Sequence, residues 1–299
     1  MKSYFEINAG QYVPEKDYRI VRPASLNIPK DHAVMFVTEK FMQYADALLR
    51  CRECLVFWPQ SVAVPEEIAE RHAVRLCENP HKEYCRFFFD NQIRYLPPVD
   101  EYETVNGAFI AKTAKIGKDC RIFPGAYIGG EVEIGDHCYI GSGARLVGEI
   151  RIGSNVVIRE NAVLGADGLS TDRDEQGKAL TMPQFGGIVI EDDVQIGALT
   201  VIARGAIDNT VIMRGSKIDN SAFISHNVRI GEDTFIVGET IMFGGSSAGD
   251  QAFISGNSTI RNKAKIGDKA FVGMGSVVTK DVAPGTVVFG SPAAPKKGE

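Results

Sequence analysis

From Ile110 onward an aliphatic residue recurs at every sixth position, through Ile116, Ile122, Ile128, Ile134, Ile140, Leu146, Ile152 and Ile158 to Leu164. The rhythm stops there, resumes at Ile190, Ile196 and Ile202, and after four extra residues runs from Ile212 to Val278. A period of six matches neither an amphipathic helix, near 3.6, nor a simply alternating strand of period two. It fits a solenoid of short parallel strands joined by tight bends, each aliphatic pointing into one continuous core. Three hexads close a triangular coil of 18 residues, so the 25 hexads predict about eight coils stacked roughly 4.8 Å apart. Glycine follows many of the aliphatics, as at Gly117, Gly135, Gly141 and Gly153. At a bend it is expected to supply backbone angles that other residues resist. Pro284, Pro292 and Pro295 come after the last hexads and are expected to end strand pairing.

Residues 1–104 lack the period. Glu39 to Leu49, Pro65 to Arg71 and Pro80 to Phe89 read as short helices, while Ala33-Val-Met-Phe-Val37 and Cys54-Leu-Val-Phe-Trp58 read as buried strands. Their alternation predicts a small α/β domain. Pro97-Pro98-Val-Asp-Glu101 reads as the linker into the coil. The predicted organisation is therefore a domain over 1–104, a mainly β coil over 105–285 with an inserted loop at about 165–187, and a short tail over 286–299.

Charge excludes several function classes. Lys and Arg total 33 against 38 Asp and Glu, a net charge of −5, so the chain lacks the basic footprint of a nucleic-acid or acidic-membrane binder. No apolar run approaches the ~20 residues that span a bilayer, and the first residues lack a signal-peptide core. The expectation is a reduced, cytoplasmic protein whose six cysteines are thiols. Cys51-Arg-Glu-Cys54, with Cys77, His81 and Cys85, has half the spacing of a zinc site but no second tight pair, and no metal is expected.

An aliphatic core is inert, so chemistry must sit where the pattern is interrupted or projects outward. The segment between Leu164 and Ile190 is one such place. The other is Lys217-Ile-Asp-Asn-Ser-Ala-Phe-Ile-Ser-His-Asn-Val-Arg-Ile-Gly231, which holds His226 beside the polar groups of Asp219, Asn220 and Asn227. An imidazole there can act as a general base. Gly244 lies 18 residues, one coil, further on, where its N–H could support an oxyanion. Base plus donor suits attack of an amine or hydroxyl on a thioester.

At these residues the chain resembles the UDP-3-O-acylglucosamine N-acyltransferases of lipid A biosynthesis, within the hexapeptide-repeat acyltransferases. The resemblance rests on Gly165-Ala-Asp-Gly168, Pro183-Gln-Phe-Gly-Gly187 running on to Gly197, Arg204-Gly-Ala206, Lys217-Ile-Asp-Asn220 and Ile224-Ser-His-Asn-Val-Arg-Ile-Gly231. More weakly, Ala33 to Val37 and Glu78-Asn-Pro-His81 resemble that family's uridine-binding domain. It implies a left-handed parallel β-helix assembling as a homotrimer. It further implies that His226 takes a proton from a sugar amine, that the Gly244 amide supports the oxyanion, and that Asp219, Asn220, Asn227 and Gln184 line or orient the site. Phe36 and Phe41 partly match the stretch that stacks on uridine.

Departures leave the co-substrate and the sugar open. The family's second histidine is Lys263, which can hold a phosphate as a point charge but cannot copy a neutral imidazole. The aspartate before Arg204 is Ala203. The family's C-terminal helices, which engage acyl carrier protein, have no match. The run from Val277 to Ala294 instead resembles the tails of coenzyme A-dependent sugar acetyltransferases. Three readings stand: N-acyl transfer from acyl carrier protein or coenzyme A, with no bound cofactor, to a UDP-linked amino sugar; acetyl-CoA-dependent N-acetylation of a UDP- or dTDP-amino sugar; and a non-catalytic β-helix scaffold.

Overall fold

The computed structural model describes residues 2–97 and 99–295; Pro98 of the expected linker and residues 296–299 of the expected tail lie outside the described residues. Two compact units emerge. The first holds the chain up to Leu96 together with Leu169–Phe185, and the second holds Pro97–Gly168 and the chain from Gly186.

The first unit is built on a four-stranded parallel sheet in the order Arg22–Pro23, Ala33–Phe36, Leu55–Pro59, Ala73–Cys77. The two central strands are the ones expected, and they are buried along almost their whole length, as parallel strands covered on both faces must be. Ala33, Met35, Val56, Trp58, Leu48 and Ile68 form one core, under the 3₁₀ segment Glu39–Arg50 and the helix Glu66–Arg71. A cluster of rings, Tyr12, Phe57, Phe87 and Phe88, forms another beneath the helix Pro80–Asp90. Asn79 caps that helix by accepting the Lys82 N–H at 3.1 Å, and Pro80 occupies its first turn, where no amide donor is needed. The inserted segment is not one loop. Thr171–Arg173 and Ala179–Thr181 pair as an antiparallel hairpin whose turn is held by the Asp174 carboxylate.

The second unit is the coil. Strands pair in parallel with those 18 residues away, Ile128 with Leu146 and Phe223 with Ile241, wherever no insertion intervenes. They form three sheets of ten, ten and eight strands, one per side of the prism. Every repeated aliphatic is buried except Ile116 and Ile122 in the first coil, which are partly covered. Small polar side chains on the inner corner join this core: Cys138, Ser216 and Thr234 each donate to the carbonyl 15 residues on, at Gly153, Gly231 and Gly249, while the equally buried Ser246 hydroxyl has no partner among the described residues.

Two expectations need correcting. The glycine after each aliphatic is not there for its dihedral freedom. Gly117, Gly135, Gly153 and Gly231 have no positive φ; a Cβ on any of them would come within 2.3–2.6 Å of atoms in the next coil. The left-handed residue is two positions later, at Asp119, His137, Asn155 and Asp233, φ 52–58°. Nor do the prolines end pairing at once. After Pro284, Val287–Phe289 still pairs with Phe271–Val272, and Ala294–Pro295 covers it antiparallel. At the opposite end, Tyr102–Val105 covers Ala108–Ala111 antiparallel. At each end of the solenoid one of the three sheet edges is thereby covered by a reversed strand.

Candidate active site

One edge of the prism carries the irregularities. It follows the strands ending in Leu164, Ile202, Ile224, Met242 and Ile260, which stack in one sheet. Regular coils turn here in a few residues; the coil below His226 takes ten residues to pass from Ile202 to Ile212.

The half-buried His226 imidazole lies between two glycines. A Cβ on Gly168 would sit 2.7 Å from its Cβ and Cδ2, and a Cβ on Gly244 would sit 2.5 Å from its Nε2. The ring therefore occupies space that any other side chain at 168 or 244 would claim. On its other edge, Nδ1 lies 3.1 Å from Asn227 Oδ1, within hydrogen-bond distance. Asn227 stands in the left-handed conformation, φ 59°, which asparagine tolerates better than most residues, and this turn aims its amide back at the ring.

The Gly244 N–H has no hydrogen-bond partner among the described residues. Some amides two residues past an aliphatic are taken by side-chain oxygens of an adjacent coil, Lys118 by Asp136, Ser154 by Asp192 and Glu232 by Asp250, whereas those of His226 and Asn262 on this same edge are, like that of Gly244, without a partner among the described residues. A free N–H beside an imidazole nitrogen is the arrangement an oxyanion needs. Lys263 stands one coil beyond, its own N–H on the Gly244 carbonyl at 3.1 Å and its exposed side chain against Gly245. Asp167 precedes Gly168. Crowding around its carboxyl pushes its pKa up, although the residue keeps solvent contact, while the Arg204 guanidinium pulls it down. Arg204 is buried, donates from Nε to the Gly186 carbonyl at 2.9 Å and lies flat against Gly148.

His226, Gly244, Asn227 and Lys263 thus come together. Asp219 and Asn220 do not join them within one chain. They follow Ile218 on the neighbouring edge, where Asp219 accepts the Gly238 N–H at 3.2 Å and Asn220 accepts the Ala198 N–H at 2.7 Å. Gln184, Phe36 and Phe41 belong to the first unit. Gln184 is buried, its amide donating to the Met182 carbonyl, with Oε1 unpartnered among the described residues. Phe36 packs against His81 and Tyr84, and the exposed Phe41 lies beside Tyr44. Gly168 and Thr210 were not singled out from sequence. Gly168 was quoted only within a motif, and Thr210 marks itself only as the hydroxyl ending the ten-residue step.

Among the described residues no group of three or more His, Cys, Asp or Glu is placed to hold a metal ion. All six cysteines are free, and Cys51 and Cys54 lie with sulfurs 3.8 Å apart. Burial raises the Cys85 thiol to about 12 and Cys77 to about 11, which keeps both protonated. Among the described residues no helix is long and apolar enough to cross a membrane.

Comparison with known proteins agrees with this architecture. The bacterial transferase hexapeptide model (six repeats) matches residues 113–148, and the hexapeptide repeat of succinyl-transferase matches 131–166 and 246–280. A UDP-3-O-acylglucosamine N-acyltransferase of Francisella tularensis subsp. holarctica is 51% identical over 79 residues, 26% of this chain and 23% of the relative. One of Coxiella burnetii is 51% identical over 82 residues, 27% of this chain and 24% of that protein. The match thus spans about a quarter of the length of these curated relatives. Among solved structures, a UDP-N-acetylglucosamine acyltransferase from Bacteroides fragilis superposes with a TM-score of 0.58 at 26% identity, covering 65% of this chain and 74% of that one. Its counterpart from Campylobacter jejuni gives 0.56 at 20% identity, with the same coverage, and speaks to the fold alone. The chain carries hexapeptide transferase repeats folded as a left-handed parallel β-helix, and over about a quarter of its length it is similar to the UDP-3-O-acylglucosamine N-acyltransferases.

Proposed function

We propose that the protein is an N-acyltransferase that moves an acyl group from a thioester to the amine of a nucleotide-linked amino sugar such as a UDP-3-O-acylglucosamine. The observation that carries this reading is Nε2 of His226 set against Gly244, whose N–H has no partner among the described residues. As the amine nitrogen bonds to the thioester carbon, Nε2 accepts the amine proton and the carbonyl oxygen, now negative, accepts the Gly244 N–H. The tetrahedral intermediate then expels the thiolate, which takes the proton back from the imidazolium. A positioned base contributes about 10²–10⁴ in rate and one oxyanion donor about 10²–10³.

In this reading Lys263 receives an anionic group of a substrate, while Asp219, Asn220 and Gln184 bind the sugar nucleotide. The first unit holds the base, with Phe36 and Phe41 as its ring contacts. A homotrimer working in the cytoplasm, where nucleotide sugars and acyl thioesters are made, completes the proposal. Acyl carrier protein and coenzyme A both remain as donors. Lys263 in place of a histidine, and a C-terminal run like that of sugar acetyltransferases, favour a second reading, acetyl-CoA-dependent acetylation of a UDP- or dTDP-amino sugar.

The test is a product analysis by mass spectrometry, with UDP- and dTDP-amino sugars offered against acetyl-CoA and long-chain acyl carrier protein in parallel. His226→Ala is expected to reduce turnover by at least about a hundredfold with the fold retained. Unimpaired turnover in that variant rejects the assignment, and a wild-type protein inert with every thioester supports the scaffold reading instead.

A further inference from the structure

We infer that the ten-residue step from Ile202 to Ile212 is a device that fixes which nitrogen of His226 carries the proton, with Thr210 as its positioning residue. In regular turns the left-handed residue sends its N–H to the backbone carbonyl of the corresponding corner one coil earlier. Ser221 bonds to Ala198, Gly245 to His226, Asn257 to Gly238 and Lys263 to Gly244, at 2.9–3.1 Å. Asn227 breaks this pattern. Its N–H goes to the Thr210 hydroxyl at 2.9 Å, and that hydroxyl, fully buried, donates onward to the Ala203 carbonyl at 2.8 Å.

The same step delivers two backbone groups to the Asn227 amide. The Ala206 N–H donates to Oδ1 at 3.0 Å, and Nδ2 donates to the Asp208 carbonyl at 2.6 Å. A backbone N–H can meet only the amide oxygen and a carbonyl only the amide nitrogen, so both neighbours fix the same amide orientation. Oδ1 then faces His226 as a pure acceptor, and the ring nitrogen 3.1 Å away, Nδ1, must carry the hydrogen. Nε2 is left with its lone pair, on the side where Gly244 leaves room. A histidine side chain free in water prefers the opposite tautomer, so the step works against an intrinsic bias. Thr210 touches no substrate; it acts by holding Asn227.

The tautomer is read by ¹⁵N NMR of histidine-labelled protein at mildly alkaline pH, with the His226 signal assigned by its loss in His226→Gln. The expected wild-type spectrum shows Nδ1 protonated and Nε2 bare. Thr210→Val removes the hydroxyl at constant shape and is expected to mix the tautomers and lower kcat about tenfold with KM within about twofold. Thr210→Ser is expected to restore both. Asn227→Gly, which keeps the left-handed turn without strain, is expected to release the tautomer too and decides the matter if Thr210→Val does not fold. A wild-type ring protonated on Nε2, or a ring that stays Nδ1–H in Asn227→Gly, overturns the inference. The kinetic half rests on the acyl transfer proposed above, whereas the NMR half does not. Protein with the expected tautomer but no turnover on any thioester would leave the device standing and remove the function.

Discussion

Glycine serves two different needs along this coil, and substitutions separate them. At Gly135 a methyl group would fall 2.6 Å from the carbonyl carbon and oxygen of Gly153, backbone atoms that cannot step aside. Gly135→Ala is expected to cost about 1–3 kcal/mol in a urea melt, the range for forcing a methyl into a packed interior. At Gly244 the same methyl would meet the His226 ring, a side chain that can rotate away, and the position has no positive φ. Gly244→Ala is therefore expected to melt near the wild type yet lose at least about a hundredfold in turnover, because the displaced imidazole no longer reaches the nucleophile. Coincident losses of stability and activity would contradict that separation. Leu199 illustrates the other need. It occupies a left-handed turn at φ 59° with its side chain exposed. Leu199→Asn is expected to stabilise the protein by about 1 kcal/mol, since asparagine enters that conformation at lower cost.

Buried polar groups in the first unit set a pH dependence of its own. His72 is fully buried, with Nε2 donating to the Leu48 carbonyl at 3.0 Å and Nδ1 accepting the Cys54 N–H at 3.2 Å, so both nitrogens are committed in the neutral form. Burial depresses its pKa. The unfolded chain binds a proton near its ordinary value of about 6.5 while the folded chain resists it, so stability present above that value is lost as pH falls, by at most about 1.4 kcal/mol per pH unit. Melting the first unit at about pH 5 and about pH 7.5 is expected to show the loss, and His72→Gln to flatten it; an unchanged slope in that variant would place the effect elsewhere. Legibility from sequence followed the same divide between elements. The hexads announced the coil strands from Ala108–Ala111 to Val277–Val278 because one aliphatic per strand must face the core, whereas Tyr102–Val105, Val287–Phe289 and Ala294–Pro295 lie outside the rhythm and were not expected. In the first unit the two central strands were legible as apolar runs, but Arg22–Pro23 and Ala73–Cys77 were not. Their arginines and exposed Leu76 mask the pattern, and only pairing with a buried neighbour makes them strands. The hairpin Thr171–Arg173 with Ala179–Thr181 is polar and two-sided, so no alternation marked it. At the site, His226 and Gly244 were legible through the 18-residue arithmetic. Gly168 and Thr210 were not, because insertions shift both out of that register.

A solenoid of this kind transmits little along its axis, since each strand is hydrogen-bonded to one coil on either side and to nothing beyond. The proposed chemistry draws on consecutive coils: the step holding Thr210, the turn of His226 and Asn227, the turn of Gly244, and that of Lys263. A defect in those coils should reach the site, and an equal defect several coils away should not. Ile230 and Ile140 are both fully buried and both belong to the continuous core. Replacing either by alanine removes the same atoms, at about 2–5 kcal/mol by the usual behaviour of large-to-small changes. Ile230 lies in the strand that leaves the His226 turn, and that strand pairs with those ending in Ile212 and Ala248, which flank the site. The Gly245 N–H, bonded to the His226 carbonyl at 2.9 Å, reports opening there. In native-state hydrogen exchange Ile230→Ala is expected to accelerate that amide about thirtyfold for each 2 kcal/mol lost, while Ile140→Ala leaves its protection near the wild-type level. Equal acceleration by both would mean that the coil opens only as a whole. The nearest-neighbour description, and with it the idea that the site's geometry is set by its own few coils, would then have to be given up.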